Sequence, residues 1–394
     1  MPPASTSVHR AAGGAALVLG LAGCGGHSNG LSAIPGSSVL VPTPVATSLR
    51  FTSLAVGLQH ACGVTAGGAT YCWGDDSYQQ LGTSAALATC QALNGPCSPA
   101  PLVVTGGSYS SIAASLRDSC GLAANGDAWC WGYGDGGQLG DGRGTSSGTP
   151  VLVSGGLPFS AIALGGSGLI SCAIGPGGSG YCWGPGGGGG GLGDGTTNGS
   201  NSPVLVAGGL SFAELAVGDE HACGATTDHD AYCWGHNLHG ALGSGVPGAS
   251  AVPAKVAGNL TISAISAGLV HSCALTSDGS AYCWGFAADV GMAGAVDPVL
   301  SPVAVAGGRH YTAISAGQDH TCALDATGVA WCWGANAGGE LGDGTTTDRP
   351  EPVRAATNAR FVAIRAGGST CALDASGQAY CWGPNGAGQD GQPP

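Results

Sequence analysis

The sequence predicts an all-β protein, a seven-bladed β-propeller of four-stranded antiparallel blades. The first observation is the tripeptide Cys-Trp-Gly, which occurs seven times, at Trp73, Trp131, Trp183, Trp234, Trp284, Trp333 and Trp382. The second is a cysteine ten residues before each of these Cys residues, in copies 58, 52, 51, 50, 49 and 49 residues apart. Such a period is typical of propellers and solenoids. The third is the glycine content, 77 of 394 residues, which recurs in register with the repeat and indicates turns.

One unit of the repeat, residues 253–294, contains four short strands separated by turn signals. The first strand contains Val256, and the other three cover residues 262–268, 271–275 and 281–285. Four such strands per unit describe one propeller blade. The second strand ends in small residues in most copies, as in Ser266-Ala267-Gly268. Small residues suit a strand crowded around a central axis, so we predict that this strand is the innermost.

The hairpin between the third and fourth strands fixes how its cysteines pair. If Ser277-Asp278-Gly279 is a three-residue loop with glycine in the left-handed conformation, Cys273 lies opposite Cys283. Directly opposed residues on antiparallel strands have a separation compatible with a disulfide. Alternation then places the two cysteines on one face of the sheet and Trp284 on the other. Both faces are apolar, as expected of a sheet packed between two neighbouring blades.

These motifs resemble the regulator of chromosome condensation repeat family of seven-bladed β-propellers. The resemblance covers roughly residues 39–394 and rests on Ala-Gly-x-x-His-x-Cys-Ala-Leu at 267–275 and 316–324, on Tyr-x-Trp-Gly, and on Gly-x-Leu-Gly-Asp-Gly-Thr-Thr at 339–346. In such propellers an N-terminal strand completes the last blade. The resemblance implies that residues 39–45 form this strand here. Paired cysteines in every blade are not part of the general family pattern.

The seventeen cysteines divide into seven hairpin pairs, one further pair and one single residue, Cys24. The predicted disulfides are Cys62–Cys72, Cys90–Cys97, Cys120–Cys130, Cys172–Cys182, Cys223–Cys233, Cys273–Cys283, Cys322–Cys332 and Cys371–Cys381. The Cys90–Cys97 pair lies in an insertion, residues 83–101, which we expect to be a stapled loop. Metal binding is the alternative, but zinc ligands are usually two to four residues apart, and a ten-residue spacing across a hairpin favours a cross-link.

The N-terminus predicts an exported chain. Arg10 precedes an apolar run, residues 11–23, which is too short to span a bilayer and fits a secretory signal. The run ends in Leu21-Ala22-Gly23-Cys24, which resembles a bacterial lipobox and implies removal of residues 1–23 and lipidation of Cys24. Residues 24–38 are then a flexible tether, and Gly25 favours the outer membrane over the inner one. An ordinary signal peptide with an incidental cysteine is the alternative.

Composition and motifs disfavour nucleic-acid binding and catalysis. The net charge is −13 and Lys255 is the only lysine, so the chain has little with which to neutralise phosphates, and a basic partner suits it better. No cofactor motif and no catalytic constellation stands apart from the repeat. His60, His221, His271 and His320 share one repeat position and could form a metal-binding ring, but Asp118, Ile170 and Ser369 interrupt it. The resemblance instead implies structural histidines bonded to turn backbone.

The segment after each Trp-Gly differs from blade to blade, and variable loops on a regular scaffold are where binding residues concentrate. We expect these loops to meet on one rim and to present Tyr78, Tyr133, His236, His239 and Phe286 among carboxylates. This pattern favours a monomeric, non-enzymatic scaffold that binds a protein or a glycan at the cell envelope. An equal alternative is that these loops are solvated turns of a scaffold whose partner binds elsewhere. Nucleotide exchange on a small GTPase, implied by the resemblance, and a propeller hydrolase or lyase are the other hypotheses.

Overall fold

The structure is a computed structural model that describes residues 38–90 and 94–393. Strands account for nearly all of its regular secondary structure, and these residues include no α-helix. No helix within them could therefore cross a membrane. Cys24, residues 1–23 and the tether up to residue 37 lie outside the described residues, so the predictions made for them stay predictions.

The strands follow one another in chain order as seven antiparallel sheets. The first strand is β1 (Ser38–Pro44). Blade 1 contains β2 (Phe51–Val56), β3 (His60–Thr65), β4 (Thr70–Asp75), β5 (Ala88–Cys90) and β6 (Gly95–Val103). Blade 2 contains β7 (Ser111–Ala114), β8 (Asp118–Leu122), β9 (Ala128–Gly132) and β10 (Ser147–Leu152). Blade 3 contains β11 (Ala161–Leu164), β12 (Ser171–Ile174), β13 (Gly180–Gly184) and β14 (Ser200–Leu205).

The second half of the ring repeats the same order. Blade 4 contains β15 (Phe212–Val217), β16 (His221–Thr226), β17 (Ala231–Gly235) and β18 (Ser250–Lys255). Blade 5 contains β19 (Ile262–Ala267), β20 (His271–Thr276), β21 (Ala281–Gly285) and β22 (Val299–Ala304). Blade 6 contains β23 (Tyr311–Ala316), β24 (His320–Asp325), β25 (Ala330–Gly334) and β26 (Arg349–Arg354). Blade 7 contains β27 (Phe361–Ala366), β28 (Thr370–Asp374) and β29 (Ala379–Pro384). Short 3₁₀ turns lie at Pro176–Gly178, Gly186–Gly188 and Leu238–Gly240.

The predicted seven-bladed propeller is confirmed, and the N-terminal strand closes it. Strand β1 pairs with β29 as the fourth strand of blade 7, with Thr43 opposite Cys381. The sequence unit 253–294 is offset from the structural blade by one strand. Its first strand, β18, pairs with β17 of the preceding blade, and Val256 lies just after it. Strand β1 therefore fills in blade 7 the position that β18 fills in blade 4.

The hairpin register is the one predicted from the turn. Cys273 lies opposite Cys283, and Gly279 has a φ of +84°. The same pairing occurs in all seven blades, and each of these cysteines is fully buried. The structure contains the seven hairpin disulfides, with a sequence separation of 10, and the Cys90–Cys97 bridge. Each cross-link lies inside a blade and covers one of its packing faces.

A buried tryptophan from each blade packs against the preceding blade. Trp284 lies in one core cluster with Cys223 and Cys233 of blade 4, and its indole Nε1 donates to the Ala241 carbonyl, 2.8 Å away. The blade 4 loop that supplies this carbonyl turns at Gly243. Gly243 has a φ of +63°, and a Cβ there would lie 2.6 Å from Nε1 of Trp284. The glycine of the repeated Leu-Gly pair therefore leaves room for the tryptophan indole of the next blade.

Blade 1 departs from the predicted four strands. The insertion that we expected to be a stapled loop forms a short strand, β5, which pairs with β6 so that Ala88 lies opposite Cys97. Blade 1 therefore has five strands in the order β2-β3-β4-β6-β5. The added strand is short and uncharged, and its only apparent anchor in the sequence was the Cys90–Cys97 bridge. The alternation that identifies a strand is too brief there to be recognised.

Candidate protein-binding face

The topology gives the disc two unlike faces. The turns between the first and second strands of each blade and the long loops after the third strand open on the same side, because His271 at the start of β20 pairs with Gly285 at the end of β21. We call this side the loop face. The tight turns between the second and third strands open on the opposite side, which we call the hairpin face. The five predicted rim residues all belong to the loop face.

Histidines near the centre of the loop face join neighbouring blades. In each case the imidazole Nε2 lies 2.8 Å from a hydroxyl of the next blade. The pairs are His60–Ser119, His221–Ser272, His271–Thr321 and His320–Thr370. The expected bond from these histidines to turn backbone was therefore wrong. Their partner is a side chain some fifty residues later, which contacts the ring only because the blades stack.

The hydrogen-bond chain at one of these joints fixes the histidine's tautomer. Ser272 donates its only hydroxyl proton to the Ala241 carbonyl, 3.0 Å away, so its oxygen must accept from His221 Nε2. The same carbonyl accepts from Trp284 Nε1. Burial lowers the pKa of His221 to about 4, so the ring is neutral at physiological pH. Each joint is a neutral, directional bond between blades.

A pairing rule along the chain accompanies these joints and could have been read from the sequence. Where a blade carries His, the next blade carries Ser or Thr immediately before its first cysteine. Where blade 3 carries Ile170, blade 4 carries Ala222, and both belong to one apolar core cluster. The residue type is thus matched at these interfaces, polar with polar and apolar with apolar, whereas at the closing interface blade 7 carries Ser369 and blade 1 carries Ala61.

The Ser272→Ala variant should cost about 1–3 kcal/mol of unfolding free energy, because it leaves the buried Nε2–H of His221 without an acceptor. Adding His221→Ile recreates the Ile170/Ala222 pair of blades 3 and 4. We expect this double variant to be more stable than the single variant. Urea unfolding of the wild type, the single variant and the double variant measures the loss of unfolding free energy in the single variant and its partial recovery in the double variant. A double variant that loses the sum of two independent penalties would contradict the pairing rule.

Carboxyl groups with raised pKa values surround this centre. Burial is the main cause for each, and neighbouring carboxylates add to it for several of them. The pKa is raised to about 7 for Asp118 and Glu340, to about 6 for Asp76 and Asp319, and by direction only for Asp219, Asp289 and Asp390. Asp289 lies 3.7 Å from Nδ1 of His271, with both groups fully buried. Because a raised pKa favours the protonated, neutral form, these buried carboxyl groups contribute less negative charge to the loop face than exposed carboxylates would.

Two of the predicted rim residues form an aromatic cluster with a cation. Tyr78 and Tyr133 meet edge to face, with ring centroids 5.6 Å apart. The Arg117 guanidinium lies 4.8 Å from the Tyr78 centroid and 5.6 Å from that of Tyr133. Tyr78 is 37% exposed, and the other two side chains are partly buried. The contacts with Arg117 and between the two rings hold the tyrosines of blades 1 and 2 in place, so that they present aromatic surface on the loop face.

The other predicted residues lie on blades 4 and 5. His239 meets Phe286 edge to face, with centroids 4.9 Å apart, and its Nδ1 lies 2.7 Å from a carboxylate oxygen of Asp297. His236 lies apart from this pair, with Nε2 2.7 Å from the Gly187 carbonyl and 3.7 Å from Glu220. The His239–Asp297 contact ties the loop of blade 4 to that of blade 5.

Sequence reasoning missed exposed apolar residues on these two loops. Leu238 precedes His239 and Val296 precedes Asp297, and the contact between His239 and Asp297 joins the two loops that carry them. We call the exposed side chains of this region the apolar rim patch: Leu238 (51% exposed), Val246 (60%), Met292 (36%) and Val296 (80%). Aliphatic residues in loops carry no motif, so only their exposure reveals them. Clustered exposed apolar residues with a polar border mark interaction surfaces.

Comparison with known proteins agrees with this geometry. Two models of the regulator of chromosome condensation (RCC1) repeat match the chain, one at residues 51–80, 212–241, 262–286 and 311–340, the other at 125–171 and 327–373. The E3 ubiquitin-protein ligase HERC2 of Mus musculus is 30% identical over 191 residues, 47% of this chain. The chain spans only 4% of that relative's length.

Solved structures share the fold at low identity. Human WBSCR16 superposes with a TM-score of 0.74 and 18% identity, over 87% of this chain and 89% of that one. Prp20p from Saccharomyces cerevisiae, described with its binding properties to Gsp1p and histones, has a TM-score of 0.69 and 22% identity, over 84% and 81% of the two chains. Identities this low establish the architecture and nothing about partners.

Proposed function

Since the chain belongs to the regulator of chromosome condensation repeat family, we propose that it is a non-enzymatic scaffold that binds a protein through its loop face. The apolar rim patch is the observation that carries this proposal. Four exposed aliphatic or thioether side chains on two neighbouring loops are more apolar surface than a solvated turn requires. The tyrosine cluster of blades 1 and 2 offers a second contact on the same face.

The chemistry of the face indicates the kind of partner. Apolar anchors surrounded by carboxylates fit a protein that presents apolar and basic residues together. Tyr78 and Tyr133 suit the rigid aromatic contacts that dominate binding energy at interfaces. A glycan partner would require planar aromatic platforms with free polar side chains beside them, and the apolar rim patch is aliphatic.

We propose further that the protein works outside the cytoplasm and is anchored by a lipid. The eight disulfides support export, because cytosolic proteins keep their thiols reduced. The Leu21-Ala22-Gly23-Cys24 motif supports lipid attachment at Cys24 and a place in the cell envelope. Metabolic labelling with palmitate should mark the wild-type protein and not the Cys24→Ser variant. Equal labelling of both would rule out this anchor.

Nucleotide exchange on a small GTPase is the other function that the family resemblance implies. Binding to Gsp1p and histones is described for Prp20p, whose likeness to this chain is 22% identity. Histones are basic, and an acidic loop face fits a basic protein partner in general. The proposed export and the disulfide framework argue against a cytosolic GTPase as the partner. We therefore retain protein binding and leave exchange activity out of the proposal.

A rim variant tests the binding proposal. Leu238→Ser combined with Val296→Ser and Tyr78→Ala should reduce retention of the partner at least tenfold, because it removes apolar anchors from both halves of the loop face. The measurement is covalent cross-linking in the cells that produce the protein, followed by quantitative mass spectrometry of the cross-linked partner.

The chain offers a matched control for this experiment. Val103, Leu152 and Leu205 are 52%, 45% and 56% exposed at the ends of the outer strands, away from the loop face. Changing these three to Ser or Ala removes comparable apolar surface elsewhere on the disc. The control variant should retain the partner like the wild type. Equal loss in both variants, or loss in neither, would contradict binding through the loop face.

A further inference from the structure

The seven inner strands surround a central channel whose two ends differ in width. Toward the loop face it narrows to a space of about 80 Å³, where Leu58, Leu164 and Leu269 are among the lining residues. Toward the hairpin face it widens to about 490 Å³. The wide part is large enough for a small organic molecule, and the leucines limit how deep such a molecule can enter.

Two charged side chains stand out in a lining of otherwise uncharged residues. Glu214 on β15 and Arg365 on β27 both line the wide part. The residues equivalent to Glu214 in the other blades are Ser53, Ser111, Ala161, Ala264, Ala313 and Ala363. Those equivalent to Arg365 are Ala55, Ala113, Ala163, Ala216, Ser266 and Ser315. Six blades close the ring with small residues at each position, so the repeat does not require either charge.

The two charges influence each other without forming an ion pair. Within the part of the chain that the structure describes, no nitrogen of Arg365 lies within 4.0 Å of a Glu214 oxygen. Burial raises the pKa of Glu214, while the Ile265 amide and the charge of Arg365 act in the opposite direction. Burial likewise lowers the pKa of Arg365, and Glu214 opposes this. The two opposite charges therefore line one cavity without forming a direct ion pair.

Each side chain is held by one bond and keeps further capacity. Glu214 Oε2 accepts from the Ile265 amide, 2.9 Å away, which leaves Oε1 available. Arg365 Nη1 donates to the Ile364 carbonyl at 2.9 Å, which leaves the other guanidinium nitrogens for an anion. Arg365 remains exposed to the channel although it lies inside the ring. The pair is oriented and still able to bind.

The hairpin face provides an approach to this space. A groove of about 590 Å³ runs between blades 3 and 4, with Phe159, Pro176 and Phe212 among its walls. It shares Ser160, Ala161 and Ala213 with the lining of the wide channel. A molecule from solvent can thus reach Glu214 and Arg365 without passing the leucines.

We propose that the wide part of the channel binds a free amino acid, with its carboxylate on Arg365, its ammonium on Glu214 and its side chain against the alanines and isoleucines of the inner strands. A guanidinium matches a carboxylate with paired donors, and a carboxylate matches an ammonium. A molecule with only one charge would leave the opposite charge of the site unpaired in a poorly solvated space. This site is independent of the loop face and of any protein partner bound there.

Isothermal titration of the purified protein, with its disulfides intact, against the standard protein amino acids tests the proposal. At least one amino acid with an apolar side chain should bind. For the amino acid that binds best, blocking the amine by N-acetylation or the carboxylate as an amide should each weaken binding at least tenfold. Failure of all the amino acids to bind at millimolar concentration would overturn the proposal.

Variants identify the site. Arg365→Gln and Glu214→Gln should each weaken binding at least tenfold, and the N-acetyl derivative should lose less affinity than the free amino acid on Glu214→Gln. Glu351→Gln, which removes an exposed carboxylate on the outer strand β26 and outside the channel, should bind like the wild type. Circular dichroism and thermal unfolding establish that each variant is folded. Unchanged affinity in both charge variants would place the amino acid elsewhere and contradict the proposal.

Discussion

Deleting residues 38–46 should open the ring and lower the free energy of unfolding by roughly 3 kcal/mol or more. The deleted segment contains β1 and Val45, which is 2% exposed in the core between blades 7 and 1. Without it, strand β29 becomes an unpaired edge along the residues that now pair with β1. Chemical unfolding followed by tryptophan fluorescence measures the loss.

The effect should extend beyond blade 7, because the closing blade also supports blade 1. Trp73 of blade 1 donates to the Gln389 carbonyl in the final loop, 2.9 Å away, and Gly391 packs against Val45. A synthetic peptide of residues 38–46 added to the truncated protein should restore part of the stability, while a scrambled peptide should not. An unfolding midpoint unchanged by the deletion would show that the ring closes without β1.

Reduction of the disulfides should prevent the unfolded chain from returning to the native state. Each hairpin bridge closes a separation of ten residues and contributes on the order of 2–3 kcal/mol by restricting the unfolded chain. Seven such bridges together outweigh the net stability of about 5–15 kcal/mol that is typical of a domain. Packing interactions alone therefore cannot compensate for the stability that is lost when the disulfides are reduced.

The experiment compares two refolding reactions from denaturant. Protein unfolded with its disulfides intact should regain its β-sheet circular dichroism on dilution. Protein unfolded and reduced should not, as long as the reductant is kept. The native protein should resist the same reductant without denaturant, because the hairpin cysteines are fully buried. Complete refolding of the reduced chain would show that the bridges are dispensable.

The sequence predicted the parts of this fold that depend on local geometry. The pairing of Cys273 with Cys283 follows from a three-residue turn, and the apolar character of both sheet faces follows from alternation along a strand. The N-terminal strand, which pairs with the distant strand β29, could be assigned only from the resemblance. The cysteine pairing and the apolar faces need only the neighbouring residues along the chain.

The features that were missed depend on contacts between blades. The histidine joints link residues about fifty positions apart, such as His221 and Ser272, and the partner is defined only once the blades stack. The apolar rim patch needs the exposed fractions of Leu238 and Val296, which the sequence does not contain. The sequence shows that Glu214 and Arg365 are charged, but it does not show that they line one channel, because they lie on blades 4 and 7.

The same distinction holds for the five predicted rim residues. The repeat predicted that all five lie in loops of one face, but it did not predict which of them contact one another. The structure joins Tyr78 to Tyr133 through Arg117, and His239 to Phe286, and it leaves His236 beside Glu220. Which loops meet is decided by their lengths and conformations. Their role in binding stays a prediction that the rim variant tests.

The measurement that tests the account most directly counts free thiols in the protein taken from the cells that produce it. An exported, cross-linked ring predicts that the sixteen cysteines of the propeller resist an alkylating reagent in denaturant and all react after reduction. Intact mass reads the number of added groups. Hairpin cysteines that are alkylated before reduction would place the protein in a reducing compartment and contradict both the covalent framework and the site of action proposed from it.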